Sequence, residues 1–271
     1  MRRVLVAAYE DNITFLASGL TFDGLLWLLP LVLVALAVFG YIVGGGGDTV
    51  ASVHQLFDRF LPAGTAGGPN DPFTAIEGAI ARVVASRVPL LVYGLPAFLW
   101  FSMRLFGSVR AALNDVFDTE ETRGWIAGKL LDMLLGIACA VLVIANTTVS
   151  FVVISAPWIG RLLAGLSAYG FALAAFFVVY KVAPSRRVPW DTALIASVVS
   201  ALAFEIAKRL FAIYLDQFAT IDRALSNTNV IALLLFVLWV YYTCVVFLAG
   251  GEVAETYELA RRQREQRAIL T

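Results

Sequence analysis

Residues Val230 to Gly251 form an unbroken run without a charged side chain, VIALLLFVLWVYYTCVVFLAGG. As a helix such a run extends about 33 Å, enough to cross a hydrocarbon core of roughly 30 Å. Few environments other than a bilayer accept it. Glu252 closes the run, and a tail carrying Arg261, Arg262, Arg264 and Arg267 follows. A spanning helix with a basic tail places that tail on the cytoplasmic face. The rest of the topology can be counted back from there.

Five further apolar stretches precede it. With the last, they predict spans at about 24–43, 88–104, 132–156, 160–181, 191–214 and 229–251. Pro30 predicts a kink in the first. The second is short and needs Arg87 and Arg104 to snorkel at its ends. Charged residues make up 15% of the chain and hydrophobic residues 60%, whereas a soluble domain is about 25% charged. The reading is an all-α, polytopic membrane bundle of six transmembrane helices in one domain. Segment 1–23 reads as an amphipathic interfacial helix. Segment 44–87 reads as an extracytoplasmic loop, with short helices near Thr49–Phe60 and Pro72–Ser86. Segment 252–271 is the cytoplasmic tail. With both termini inside, the inner segments hold about twice as many Lys and Arg as the outer ones, as the positive-inside rule requires.

Several functions lose support at this stage. A net charge of zero gives no basic footprint for nucleic acid. Cys139 and Cys244 lie inside apolar runs and read as small hydrophobes. His54 is the only histidine, so no zinc ligand cluster is expected, and there is no Gly-x-Ser-x-Gly elbow. Gly44–Gly47 lacks the Lys and Ser/Thr of a phosphate loop and reads as a helix terminator. The expectation is a protein that is not an enzyme and takes no cofactor or metal. Membrane lipids are its natural partners, and self-association into a homo-oligomer is left open.

Ionisable residues within membrane helices cost about 2.5–3.5 kcal/mol each at mid-helix and usually face the bundle interior. Glu205, Lys208 and Arg209 share one helical face by their spacing. They read either as a polar cavity for a charged head group or as a self-neutralising cluster near the outer interface. Asp23 and Arg104 fall near the cytoplasmic edge. They read as a gate or proton-linked switch, or as two interface residues that never meet. Asn114 reads as a cap or cross-link, and Asn146 as interhelical glue. Glu252 sits at the negative end of a helix dipole and calls for a cation such as Arg110 or Arg187. Small residues at Ala196, Ser197, Ser200 and Ala201 predict close helix packing.

Four segments then carry a resemblance: FLASGLTFDGLLWLLPLVLVALAVFG, MRLFGSVRAALNDVFD, YKVAPSRRVPWDTAL and LWVYYTCVVFLAGGEVAE. In this order they resemble the YihY/BrkB family of bacterial inner-membrane proteins, over roughly Glu10 to Glu258. Asp23 stands where the family usually has an aromatic residue, and Gly251 replaces its usual Ala. The resemblance implies six transmembrane helices in the inner membrane and no settled activity. Some members are linked to serum resistance or to the movement of envelope lipids. A ribonuclease label carried by the family would require a basic groove with stacking aromatics, and none is visible. The resemblance and the intramembrane charges together imply a transporter or flippase-like protein for a lipid or amphipathic envelope compound. The alternative is a non-transporting scaffold or envelope assembly factor whose outer loop docks a partner.

Overall fold

The computed structural model describes residues 12–44, 86–120, 123–154, 158–222 and 228–270. These residues form six helices and no strand: α1 (Ile13–Gly44), α2 (Arg87–Val116), α3 (Trp125–Ile154), α4 (Trp158–Val182), α5 (Trp190–Asp222) and α6 (Thr228–Leu270). Among the described residues, four segments are long and apolar enough to cross a membrane: Ile13–Val38, Val88–Val116, Trp125–Asn146 and Leu234–Ala268. A shorter apolar helix covers Leu166–Val182, and α5 is not among these candidates. His54, the two short loop helices and residues 1–11 of the proposed interfacial segment lie outside the described residues.

The helices outrun the apolar stretches that betray them. No break separates an interfacial helix ending at residue 23 from the first span, because α1 runs continuously from Ile13. The turn at its start is closed by the Asn12 carbonyl, which accepts from the Phe15 and Leu16 amides. Likewise α2 continues to Val116, well past Arg104, α5 continues to Asp222, and α6 carries the tail on to Leu270. Backbone hydrogen bonding favours helix on both sides of the lipid boundary, so hydropathy marks the membrane and not the helix end.

The end of α2 is defined by its hydrogen bonds. The Thr119 amide bonds the Asn114 carbonyl and the Asp118 amide bonds the Asp115 carbonyl. Asp118 has a φ of 43°, in the left-handed region where a helix-closing glycine usually stands. Asp tolerates that region through its short polar side chain.

The chain divides into two compact units, residues 1–25 with 102–271, and residues 26–101. In the smaller unit Trp27 and Phe98 stack at a tilt, with centroids 6.0 Å apart, and Gly94 admits Leu33 and Val34. In the larger unit Ile13, Ala17, Leu20, Phe106, Leu113, Tyr180, Ala196 and Leu248 belong to one core. Helices α3 and α4, α4 and α5, and α5 and α6 pack as neighbours. The small residues of α5 do what their size predicts, since Ala193, Ala196, Ser197, Ser200 and Ala201 are fully buried. Tyr180 of α4 reaches across this seam, donating to the Phe247 carbonyl and sharing a hydrogen bond with Ser200 Oγ at 2.7 Å. Gly250 lies so close that a methyl group there would strike Ser200 Oγ. Large apolar side chains such as Phe15, Leu130, Leu134, Leu202, Ile206 and Leu210 point outward, as lipid-facing surface should.

Candidate functional site

Within the larger unit, α2 presents two basic side chains, each meeting an acid from another helix. Arg104 Nε donates to Asp23 Oδ1 of α1 at 2.7 Å, and Ser108 Oγ donates to Asp23 Oδ2 at 2.5 Å. Ser108 lies one turn beyond Arg104, so both reach the same carboxylate from one face of α2. The Asp23 side chain is 9% exposed, while that of Arg104 is 52% exposed. The guanidinium also lies over the Phe22 ring, 5.8 Å from its centroid. This is a satisfied carboxylate facing a cation that remains half open to its surroundings.

The second pair joins α2 to α3. Arg110 Nη2 lies 3.1 Å from Asp132 Oδ2, with side chains 19% and 0% exposed. Asp132 sits about 10 Å along α3 from its first residue. The contact is an ion pair whose angles fall short of a hydrogen bond, so among the described residues both Asp132 oxygens and Arg110 Nη1 are buried without a hydrogen-bond partner. Glycines clear the space around it. A side chain at Gly128 would collide with Arg110 Nη1, and a Cβ at Gly107 would lie 3.5 Å from Asp132 Oδ2 and 3.6 Å from Lys129 Nζ. A third clearing, Gly136 against Ser102, continues the same antiparallel crossing of α2 and α3.

At the end of the unit where α2 stops, further contacts tie the chain together. Arg123 donates to the Val182 carbonyl at 3.0 Å and to the Pro184 carbonyl at 2.6 Å, closing the C-terminus of α4. Burial first, and Arg110 second, make the Arg123 guanidinium easier to deprotonate than usual, with Asp132 opposing. Asn114 exchanges two hydrogen bonds with Ser185, at 3.0 Å to its Oγ and 2.9 Å from its amide. Arg186 pairs with Glu258 at 3.0 Å and lies over the Phe117 ring. Lys181 donates to the Val188 carbonyl, and Arg261 of α6 pairs with Asp191 at the start of α5. The segments read as cytoplasmic from the sequence, between α2 and α3, between α4 and α5, and after residue 251, therefore meet at one end.

The remaining sequence candidates are placed as follows. Glu205 pairs with Lys208 of its own helix at 2.5 Å, with side chains 27% and 37% exposed, and Lys208 lies over the Phe204 ring. Arg209 is exposed. Their helix presents Leu202, Ile206, Leu210 and Ile213 to the outside nearby. Asn114 is a cross-link. Asn146 Oδ1 is buried with no hydrogen-bond partner among the described residues. Glu252 is fully buried. Among the described residues no three His, Cys, Asp or Glu side chains could hold a metal ion.

The comparisons extend over the same chain. The family model described as "Virulence factor BrkB" matches residues 4–269. A UPF0761 membrane protein of Alteromonas mediterranea is 26% identical, the match covering 96% of this chain and 89% of the relative. One of Pseudoalteromonas translucida is 25% identical, covering 90% and 81%. One of Ralstonia nicotianae is 29% identical, covering 98% of this chain and 60% of the relative. No solved structure matches. With its apolar helices and a match running from residue 4 to residue 269, this is an integral membrane protein that belongs to the virulence factor BrkB family.

Proposed function

We propose that this protein moves a lipid or another amphipathic envelope compound across the bacterial inner membrane, acting as a carrier and not as an enzyme. The observation that carries the reading is the Asp23–Arg104–Ser108 set. A carboxylate is held by two donors on α2 while the guanidinium stays half exposed. Such a cation, placed in a helix long and apolar enough to span, offers an anionic head group a partner, and Asp23 competes for it when the head group leaves. Residues that are costly in lipid persist where they serve a pathway. The topology that goes with this reading has six passes with both termini inside, and the gathering of three predicted cytoplasmic segments at one end supports it.

The test is reconstitution into liposomes containing fluorescent lipids. Wild type should move lipid faster than empty vesicles, and Arg104→Gln should slow it while leaving the fold intact. Equal rates for wild type and empty vesicles over a range of lipid head groups would remove the carrier reading.

A scaffold for envelope assembly is the second reading, favoured by the interlock of Arg123, Asn114, Arg186 and Arg261 at one end of the larger unit. A scaffold should tolerate Arg104→Gln and lose its partner when residues 48–87 are deleted. A carrier should show the opposite pattern.

A further inference from the structure

We propose that Arg110, Arg123 and Lys129 form a binding site for a phosphate-bearing anion, with Asp132 as its built-in counter-ion. The site goes beyond the carrier reading, since an anion can bind here in a protein that moves nothing.

Three cations, Arg110, Lys129 and Arg123, act on the one carboxylate of Asp132. One acid neutralises one of them, so the cluster keeps a local excess of positive charge. Geometry shows how near they are. Lys129 Nζ and Asp132 Oδ2 both fall within 3.6 Å of the point where a Gly107 Cβ would be. Arg110 reaches the same oxygen at 3.1 Å.

These are not freely swinging surface cations. Asp132 and the clearing at Gly128 hold Arg110, and two main-chain carbonyls hold Arg123 by both terminal nitrogens. A donor set assembled before the ligand arrives avoids the entropy of ordering it. The set is also incompletely used, because Arg110 Nη1 is buried with no hydrogen-bond acceptor among the described residues. A buried donor in that state favours any acceptor that can reach it. Phosphate suits the site better than a single-point acceptor, since guanidinium forks and an ammonium together match its several oxygens.

Depth points to a source. Trp125, one turn before Lys129, opens α3 with its side chain 77% exposed. Exposed Trp at the end of an apolar helix marks the head-group level of a bilayer. Lipid phosphates are concentrated there, and free phosphate can reach the same level from the water.

The experiment uses the full chain in a neutral detergent and counts bound molecules by native mass spectrometry. Short-chain phosphatidylglycerol, short-chain phosphatidylcholine and inorganic phosphate are titrated separately. Wild type should retain phosphatidylglycerol or phosphate in preference to phosphatidylcholine. Lys129→Gln should weaken that binding about tenfold, as loss of one charge-assisted hydrogen bond implies. Lys129→Arg should restore it, and Arg264→Gln, which removes an exposed charge from the tail, should leave it unchanged. Circular dichroism and gel filtration establish that each variant is folded. Loss of phosphatidylglycerol alone in Lys129→Gln assigns the site to a lipid head group, and loss of inorganic phosphate assigns it to the free anion. The proposal is overturned if Lys129→Gln binds both as wild type does, or if Arg264→Gln loses as much. None of these readings depends on lipid movement.

Discussion

Helix α2 and helix α5 both carry charges within apolar surroundings, and they deal with them in different ways. The bases of α2 are answered from other helices: Arg104 by Asp23 of α1, and Arg110 by Asp132 of α3. On α5, Glu205 is answered by Lys208 one turn away, and Arg209 stays exposed. A pair closed within one helix says nothing about its neighbours, because it forms wherever that helix goes. A pair closed between helices fixes their register and fails if they separate. The pairs at Arg104 and Arg110 therefore carry tertiary information, while Glu205 and Lys208 of α5 neutralise each other.

The strongest way to break this contrast is Asp132→Ala. It leaves Arg110 in a buried position without its counter-charge, which costs about 3–5 kcal/mol for a buried pair cut on one side. A sharp fall in melting temperature in detergent is expected. The double variant Arg110→Met with Asp132→Leu should recover much of the loss, since two apolar side chains of similar bulk leave no stranded charge. If Asp132→Ala melts like wild type, the pair does not hold α2 to α3.

The stability of α5 should instead come from its other face. Gly250→Ala places a methyl group on Ser200 Oγ, and overpacking of this kind costs about 1–3 kcal/mol. Ser200→Gly in the same chain should return part of that, measured as a non-additive term in a double-mutant cycle. Additive effects would mean that the two residues do not meet.

Much of the fold was legible because lipid imposes a simple rule on sequence. The uncharged runs Gly24–Val43, Val88–Met103, Leu162–Tyr180, Thr192–Phe204 and Val230–Gly251 each fall inside a helix. Helix ends were less legible, since Ile13–Thr21, Leu105–Val116 and the tail after Glu252 are helical without being uniformly apolar. The candidate site was half legible. Asp23 and Arg104 stood out as charges beside apolar runs, and Asn114 as a cross-link. Asp132 stands at the first position of the predicted 132–156 span, where a lone charge reads as a boundary marker and not as half of a pair. A signal was nevertheless available. Arg110 and Asp132 have opposite charge and stand at similar distances on either side of the turn between α2 and α3, where an antiparallel pair brings residues opposite each other. For Glu205 the helical spacing was correct, but spacing alone does not say which way a face turns.

Asp23→Asn sharpens the comparison from a milder direction. It keeps the shape and removes the charge that holds Arg104 Nε and Ser108 Oγ. Because Arg104 is half exposed, the expected cost is about 1 kcal/mol, below the range for fully desolvated charge-assisted bonds. Its signature should be a change in lipid movement larger than the change in melting temperature, as expected of a group that holds a working cation in place.

The smallest effect is expected from Glu205→Ala, and it bears on the contrast most directly. A pair within one helix and partly exposed is worth about 0.3–0.5 kcal/mol. The variant should therefore melt within that margin of wild type and move lipid at the wild-type rate. A second change, Lys208→Ala, should then add almost nothing, because the cation has only been released to the surroundings that Arg209 already occupies. If Glu205→Ala instead stops lipid movement while Arg104→Gln does not, the roles assigned to the two helices are reversed. The pathway would then run along α5, and the half-open arginine on α2 would be a purely structural tie.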